Sequence, residues 1–133
     1  MGNARYGKIS MILLDANYLL RFLIRDDEES FSIAKECITN NHCFIPNEVL
    51  AEVVFVLLKV YKVTKEEIKN IVIQLIQHDN IIIDAKKSMV RALEIFNNKN
   101  LDFVDAILCA KSSDYEIRTF DRKLQKCIAE GKS

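Results

Sequence analysis

Short apolar runs alternate with longer stretches of helical periodicity along this chain, and that alternation predicts most of its architecture. Residues 9–14 form a brief apolar run ending at Asp15, the kind of segment that a buried parallel strand shows. Residues 43–45, stopped by Pro46, and residues 81–83 repeat the pattern, and residues 116–119 read as a last strand. Between them lie the helices. Residues 17–25 form the first, and Phe31, Ala34, Cys37 and Ile38 mark the second, with Asp27 as its N-cap.

Asn47 is read as the N-cap of a helix over 48–61, apolar almost all the way round from Val49 to Leu58 and therefore expected to be buried. Thr64 and Glu67 have capping-box spacing ahead of Ile68, Ile71, Val72, Leu75 and Ile76. An amphipathic helix runs through Met89, Ala92, Leu93 and Phe96, another spans 102–113, and a short one closes the chain over 122–128. Strands that alternate with helices point to an α/β fold, a parallel sheet covered on both faces. Ligands of such sheets bind beyond the carboxyl ends of the strands.

Composition narrows this picture. A chain of 133 residues that is 50% hydrophobic, with three glycines and one proline, suits one compact domain without linkers. Nineteen basic residues balance nineteen acidic ones, so no overall positive field announces a nucleic-acid partner. The four cysteines, Cys37, Cys43, Cys109 and Cys127, lack C-x-x-C spacing and are expected as reduced core residues, with no disulfide or zinc site. No run is long enough to span a bilayer and no secretory leader is visible, so the expectation is a soluble, cytoplasmic protein without a membrane partner. Residues 1–10 fit no periodic pattern and are set apart as an N-terminal extension or remnant, leaving 11–133 as the domain.

Candidate chemistry lies in the acids. Asp15 follows the first strand and Asp121 follows the last, so both can reach the crevice, although either alone is equally well a helix cap. Glu52 interrupts the apolar run from Val49 to Leu58; buried there, its carboxylate needs a cation, an ion-pair partner or a raised pKa. Asp105 opens another apolar helix, where Asp102 as N-cap would be ordinary helix-start chemistry. Four carboxylates converging at one end of a sheet need cations, and oxygen-only ligands favour Mg²⁺ or Mn²⁺ over zinc. His42 and His78 read as surface or turn residues. Metal-activated water attacking a phosphodiester is the chemistry such a cluster supports.

The segments that carry these acids, 14–23, 45–54, 101–106 and 118–124, occur in an order that resembles the PIN-domain ribonucleases, in particular the VapC-like toxins of type II toxin–antitoxin systems. The resemblance covers the chain from Met11 to about Cys127. It implies a three-layer α/β/α fold with a five-stranded parallel sheet, of which four strands are visible in the pattern. It also implies that Asp15, Glu52, Asp105 and Asp121 bind one or two Mg²⁺ or Mn²⁺ ions, with Asn17 and Thr119 beside the metal. The choice of Glu52 over Glu48, and of Asp105 over Asp102, rests partly on that resemblance. Family toxins cut RNA, often transfer or ribosomal RNA, usually act as homodimers, and are silenced by an antitoxin protein.

Arg21, Arg25, Lys59, Lys62, Arg118, Arg122 and Lys123 are candidates for a positive rim along a phosphate backbone. Two rival readings stand beside the endoribonuclease: a catalytically degenerate PIN domain that only binds RNA or protein, and a phosphoaspartate receiver-type domain. The receiver would need a lysine after the last strand, where Thr119-Phe120-Asp121 stands, and a second acidic pair near the first strand.

Overall fold

The computed structural model describes residues 11–131; the N-terminal extension expected over 1–10, and the first residues of the run expected over 9–14, lie outside the described residues. Three two-residue strands, β1 (Ile12–Leu13), β2 (Cys43–Phe44) and β3 (Ile81–Ile82), form a parallel sheet in the order β1-β2-β3. Ile12 pairs with Cys43 and Cys43 with Ile81. Flanking bonds extend the ladder: the Leu14 amide donates to the Phe44 carbonyl and the Ile45 amide to the Ile82 carbonyl.

The described residues also form seven helices: α1 (Ala16–Ile24), α2 (Glu28–Asn40), α3 (Asn47–Lys59), α4 (Lys65–Ile76), α5 (Lys86–Asn98), α6 (Phe103–Lys111) and α7 (Arg122–Gly131). Local chemistry sets their starts. Asp27 accepts from the Ser30 amide at α2, and at α4 the Thr64 side chain accepts from the Glu67 amide while its hydroxyl donates to the Glu67 carboxylate at 3.1 Å. Asn80 donates through its side chain to the Ile38 and Thr39 carbonyls, tying the end of α2 to the turn that enters β3.

Four expectations are corrected. Pro46, not Asn47, caps α3; Asn47 is the first helical residue, and its buried side-chain oxygen has no hydrogen-bond partner. The helix is not buried all round. Leu50, Val53, Val54 and Leu57 enter the core, whereas Glu48, Glu52, Phe55 and Lys59, spaced at helical intervals, form a solvent face. Residues 116–119 form no strand: Ile117 is the one apolar side chain among Glu116, Arg118 and Thr119, too little burial to fix a register against the sheet. Lastly, Cys109 and Cys127 are joined in a disulfide, with Cα atoms 6.2 Å apart. Cys37 and Cys43 are free, and burial together with the Cys37 thiol pushes the Cys43 thiol up to about 11.

The main core includes Leu19, Leu57, Ile68, Met89, Leu93 and Phe96, all fully buried. A satellite cluster of Leu101, Cys109, Leu124 and Cys127 attaches α7 to α6. There the disulfide closes a sequence separation of 18 residues, worth about 3 kcal/mol in the chain-entropy account.

With so few glycines, the chain takes left-handed turns on ordinary residues: Arg25, Lys62 and Ala85 all have φ between 52° and 59°. Ala85 is doubly ill-suited, since it also occupies the N-cap of α5 without a side-chain hydrogen bond. Ala85→Gly should therefore raise unfolding free energy by about 1 kcal/mol, read from the urea midpoint. A loss of stability would show that the methyl group makes contacts that outweigh the backbone strain.

Candidate active site

Two helix starts meet at one cleft. At the first, the Asp102 side chain accepts from the Asp105 amide at 2.9 Å, so Asp102 is the N-cap of α6 and Asp105 lies on its first turn. Asp102 caps with one carboxylate oxygen, whereas the half-buried Asp105 carboxylate accepts no hydrogen bond among the described residues. Burial, and then the charges of Asp102 and Asp121, hold the Asp105 carboxyl above the usual aspartate range.

At the second start, the Thr119 hydroxyl accepts from the Asp121 amide at 3.0 Å, and Asp121 Oδ1 accepts from the Leu124 amide at 2.8 Å. The Thr119 carbonyl also accepts from the Gln125 side chain at 2.8 Å. Thr119 and Gln125 thus fix the turn that carries Asp121 onto α7. The second carboxylate oxygen of Asp121 remains without a hydrogen bond among the described residues.

Asp102, Asp105, Asp121, Arg122 and Lys123 line a cleft of about 430 Å³, together with Asn100 and Leu101. Hollows adjoin it on both sides. One, of about 760 Å³, shares Asn100, Leu101 and Asp102 and is lined by Phe55, Leu58, Lys59, Lys62, Lys65 and Phe103 among others. The other, of about 370 Å³, brings Lys99, Lys123 and Lys126 against Glu130 and Cys127. The acidic cleft therefore lies between two lysine-bearing hollows, and the neutral total charge conceals a local separation of sign.

Other predicted residues lie elsewhere. Asp15 is exposed beyond β1, where its side chain accepts from the Tyr18 amide at 2.9 Å and caps α1, and Asn17 is exposed on the same helix. Glu52 is exposed on the solvent face of α3, so the argument from its burial does not hold. Neither Asp15, Asn17 nor Glu52 lines the cleft that contains Asp105 and Asp121. Of the candidate cations, Arg122 and Lys123 are at the cleft and Lys59 and Lys62 at the larger hollow. Arg21, Arg25 and Arg118 are engaged by Asp26, Glu28 and Glu116. Among the described residues no group of three or more His, Cys, Asp or Glu side chains could hold a metal ion. The donor chemistry of the cleft nevertheless suits a hard divalent cation, since its acids are all carboxylates and crowd one another.

The disulfide beside this cleft escaped the sequence reading: helical spacing puts Leu124, Cys127 and Ile128 on one face of α7, but no local pattern pairs Cys127 with Cys109 on another helix.

Comparison with known proteins bears on the family of the chain as a whole. The family model described as "PIN domain" matches residues 12–128. A VapC ribonuclease of Aquifex aeolicus (strain VF5) is 26% identical over 123 residues, covering 87% of this chain and 91% of its own. No solved structure matches the chain at a comparable level of significance.

The raised Asp105 carboxyl has a measurable sign. Because its folded pKa lies above the unfolded value, its contribution to stability is fully present below the ordinary aspartate pKa of about 3.9 and is lost as pH rises through the folded value. In metal-free buffer at neutral pH, Asp105→Asn should melt higher than the wild type, and the gap should close at acid pH. A variant that melts lower than wild type at neutral pH would contradict the crowding described here.

Proposed function

The chain belongs to the PIN-domain family, in its VapC-like branch, and from that premise we propose that it is a Mg²⁺- or Mn²⁺-dependent endoribonuclease, the toxin of a toxin–antitoxin pair. The observation that carries the reading is the crowding of Asp105 against Asp121 and Asp102 in a cleft between lysine-bearing hollows. Like charges so placed are relieved by a cation, and a polyanion can reach them only when they are neutralised.

In this proposal Asp105 and Asp121 would hold the ion, with Asp15 and Glu52 as the remaining acids of the set. A divalent ion bound there supplies charge neutralisation at the scissile phosphate and activation of water. The chain's own residues do the positioning. Thr119 fixes the Asp121 backbone through its hydroxyl, so it acts on the acid rather than on substrate. Asn17 is assigned beside the metal from the family likeness. Arg122 and Lys123 at the cleft, and Lys59 and Lys62 in the adjoining hollow, are placed to meet backbone phosphates.

The VapC likeness extends the proposal to an antitoxin partner, a homodimer, and a substrate such as transfer or ribosomal RNA. With RNA as substrate the place of action would be the cytoplasm; among the described residues no helix is long and apolar enough to cross a membrane. The five-stranded sheet of the family would add strands at an edge of the sheet, where β1 and β3 are the outer strands among the described residues.

The test is cleavage of mixed RNA by the purified chain with Mn²⁺ or Mg²⁺, against an EDTA control and the variants Asp105→Asn and Asp15→Asn. Cleavage should require the metal and fall in both variants by at least the roughly 10–100-fold that loss of a ligand's supporting partner costs. Variants as active as wild type would overturn the assignment of the acids. RNA binding without cleavage under any of these metals would identify a binding module instead.

A further inference from the structure

Asp121 is built into α7, because its own side chain caps that helix through the Leu124 amide. Wherever α7 moves, Asp121 moves with it. Asp105 is built into α6, whose buried Phe103, Ala106 and Ala110 belong to the main core and whose buried Cys109 belongs to the satellite cluster. The separation of the two acids is therefore the docking of α7 on α6.

That docking has few buried side chains among the described residues. Of α7, Leu124 and Cys127 are buried, and their cluster adds Leu101 and Cys109, with the partly buried Ile95 and Ile128 packed against it. Two of its four buried members are the disulfide cysteines. Beyond it lies the exposed pair of Lys99 and Glu130, 2.6 Å apart, a surface contact of small weight. Cys109 stands four residues after Asp105, on the same face of α6, so the bond anchors α7 one turn from the acid it is to face.

We propose that Cys109 and Cys127 are positioning residues: oxidised, they hold Asp121 against Asp105, and reduced, they release α7 and open the acidic cleft. This inference rests on the metal-dependent reading of that cleft. Release is a thiol–disulfide exchange with a dithiol reductant. A reductant thiolate attacks one sulfur, the Cys109–Cys127 bond breaks, the two cysteines take up two protons as thiols, and the reductant leaves as its own disulfide. The reverse reaction needs a disulfide oxidant.

The experiment compares the full-length protein, oxidised and after treatment with a dithiol, by amide hydrogen exchange and by Mn²⁺ titration. Reduction should strip protection from the amides of α7 while those of α3 to α5 remain protected, and should weaken Mn²⁺ binding roughly tenfold. Cys109→Ala/Cys127→Ala should behave as the reduced wild type and ignore the dithiol, assigning the effect to this pair rather than to Cys37 or Cys43. Unchanged α7 protection on reduction overturns the inference. So does lost protection with unchanged Mn²⁺ affinity, which would mark a staple with no bearing on the cleft. An oxidised protein that neither binds Mn²⁺ nor cuts RNA sinks the nuclease reading instead, and the exchange data then decide whether the bond sets the place of α7.

Discussion

The seating of α6 in the main core, through Phe103, Ala106 and Ala110, is the constraint from which the site follows. Apolar burial at these positions sets the helix's rotation, and a helix so oriented turns Asp105 toward the cleft and Cys109 toward α7. The acid is consequently held in a partly desolvated place that its own hydration would not choose. Core packing supplies the stability against which that unfavourable placement persists, as is usual where ionisable groups are arranged for chemistry.

Capping accounts for much of the remaining geometry. Asp15, Asp102 and Asp121 each bond a backbone amide of the first turn they precede, and the partial positive charge of a helix start favours a carboxylate at each of these places. Structural and functional uses of such acids therefore do not exclude one another. A capping carboxylate engages one oxygen, and the other is left for a ligand. Asp105, which caps nothing, is the acid whose ionisation the fold disfavours.

These relations were unevenly legible in the residues. The period of 3.6 in the segments from Ile68 to Ile76 and from Met89 to Phe96, and the signals at Asp27 and Thr64, announced α2, α4 and α5 without ambiguity. Glu52 misled because an apolar run reads the same whether a helix is sunk in a core or lies at its edge; only the neighbours decide which face is open, and here Glu48, Phe55 and Lys59 share the open one. Asp102 as the N-cap of α6 was legible from its spacing, and the hydrogen bond to the Asp105 amide bears that part out. Cys109 and Cys127 had apolar neighbours, and nothing in their spacing showed that two separate helices would bring them face to face. Long-range pairings of this kind are set by tertiary docking, which local pattern does not contain.

The sheet, with two residues to each strand, has a bearing on how this molecule assembles. Parallel partners such as Ile12 and Cys43 are separated by two intervening helices, so closing each pairing orders a long loop for a handful of bonds. Helical hairpins close over shorter distances and gain their burial early. The strands are therefore expected to join late on the folding path, after the helices have framed them. During that interval Ile12, Cys43 and Ile81 lack their partners, and it is then that the chain is most exposed to pairing with another copy of itself.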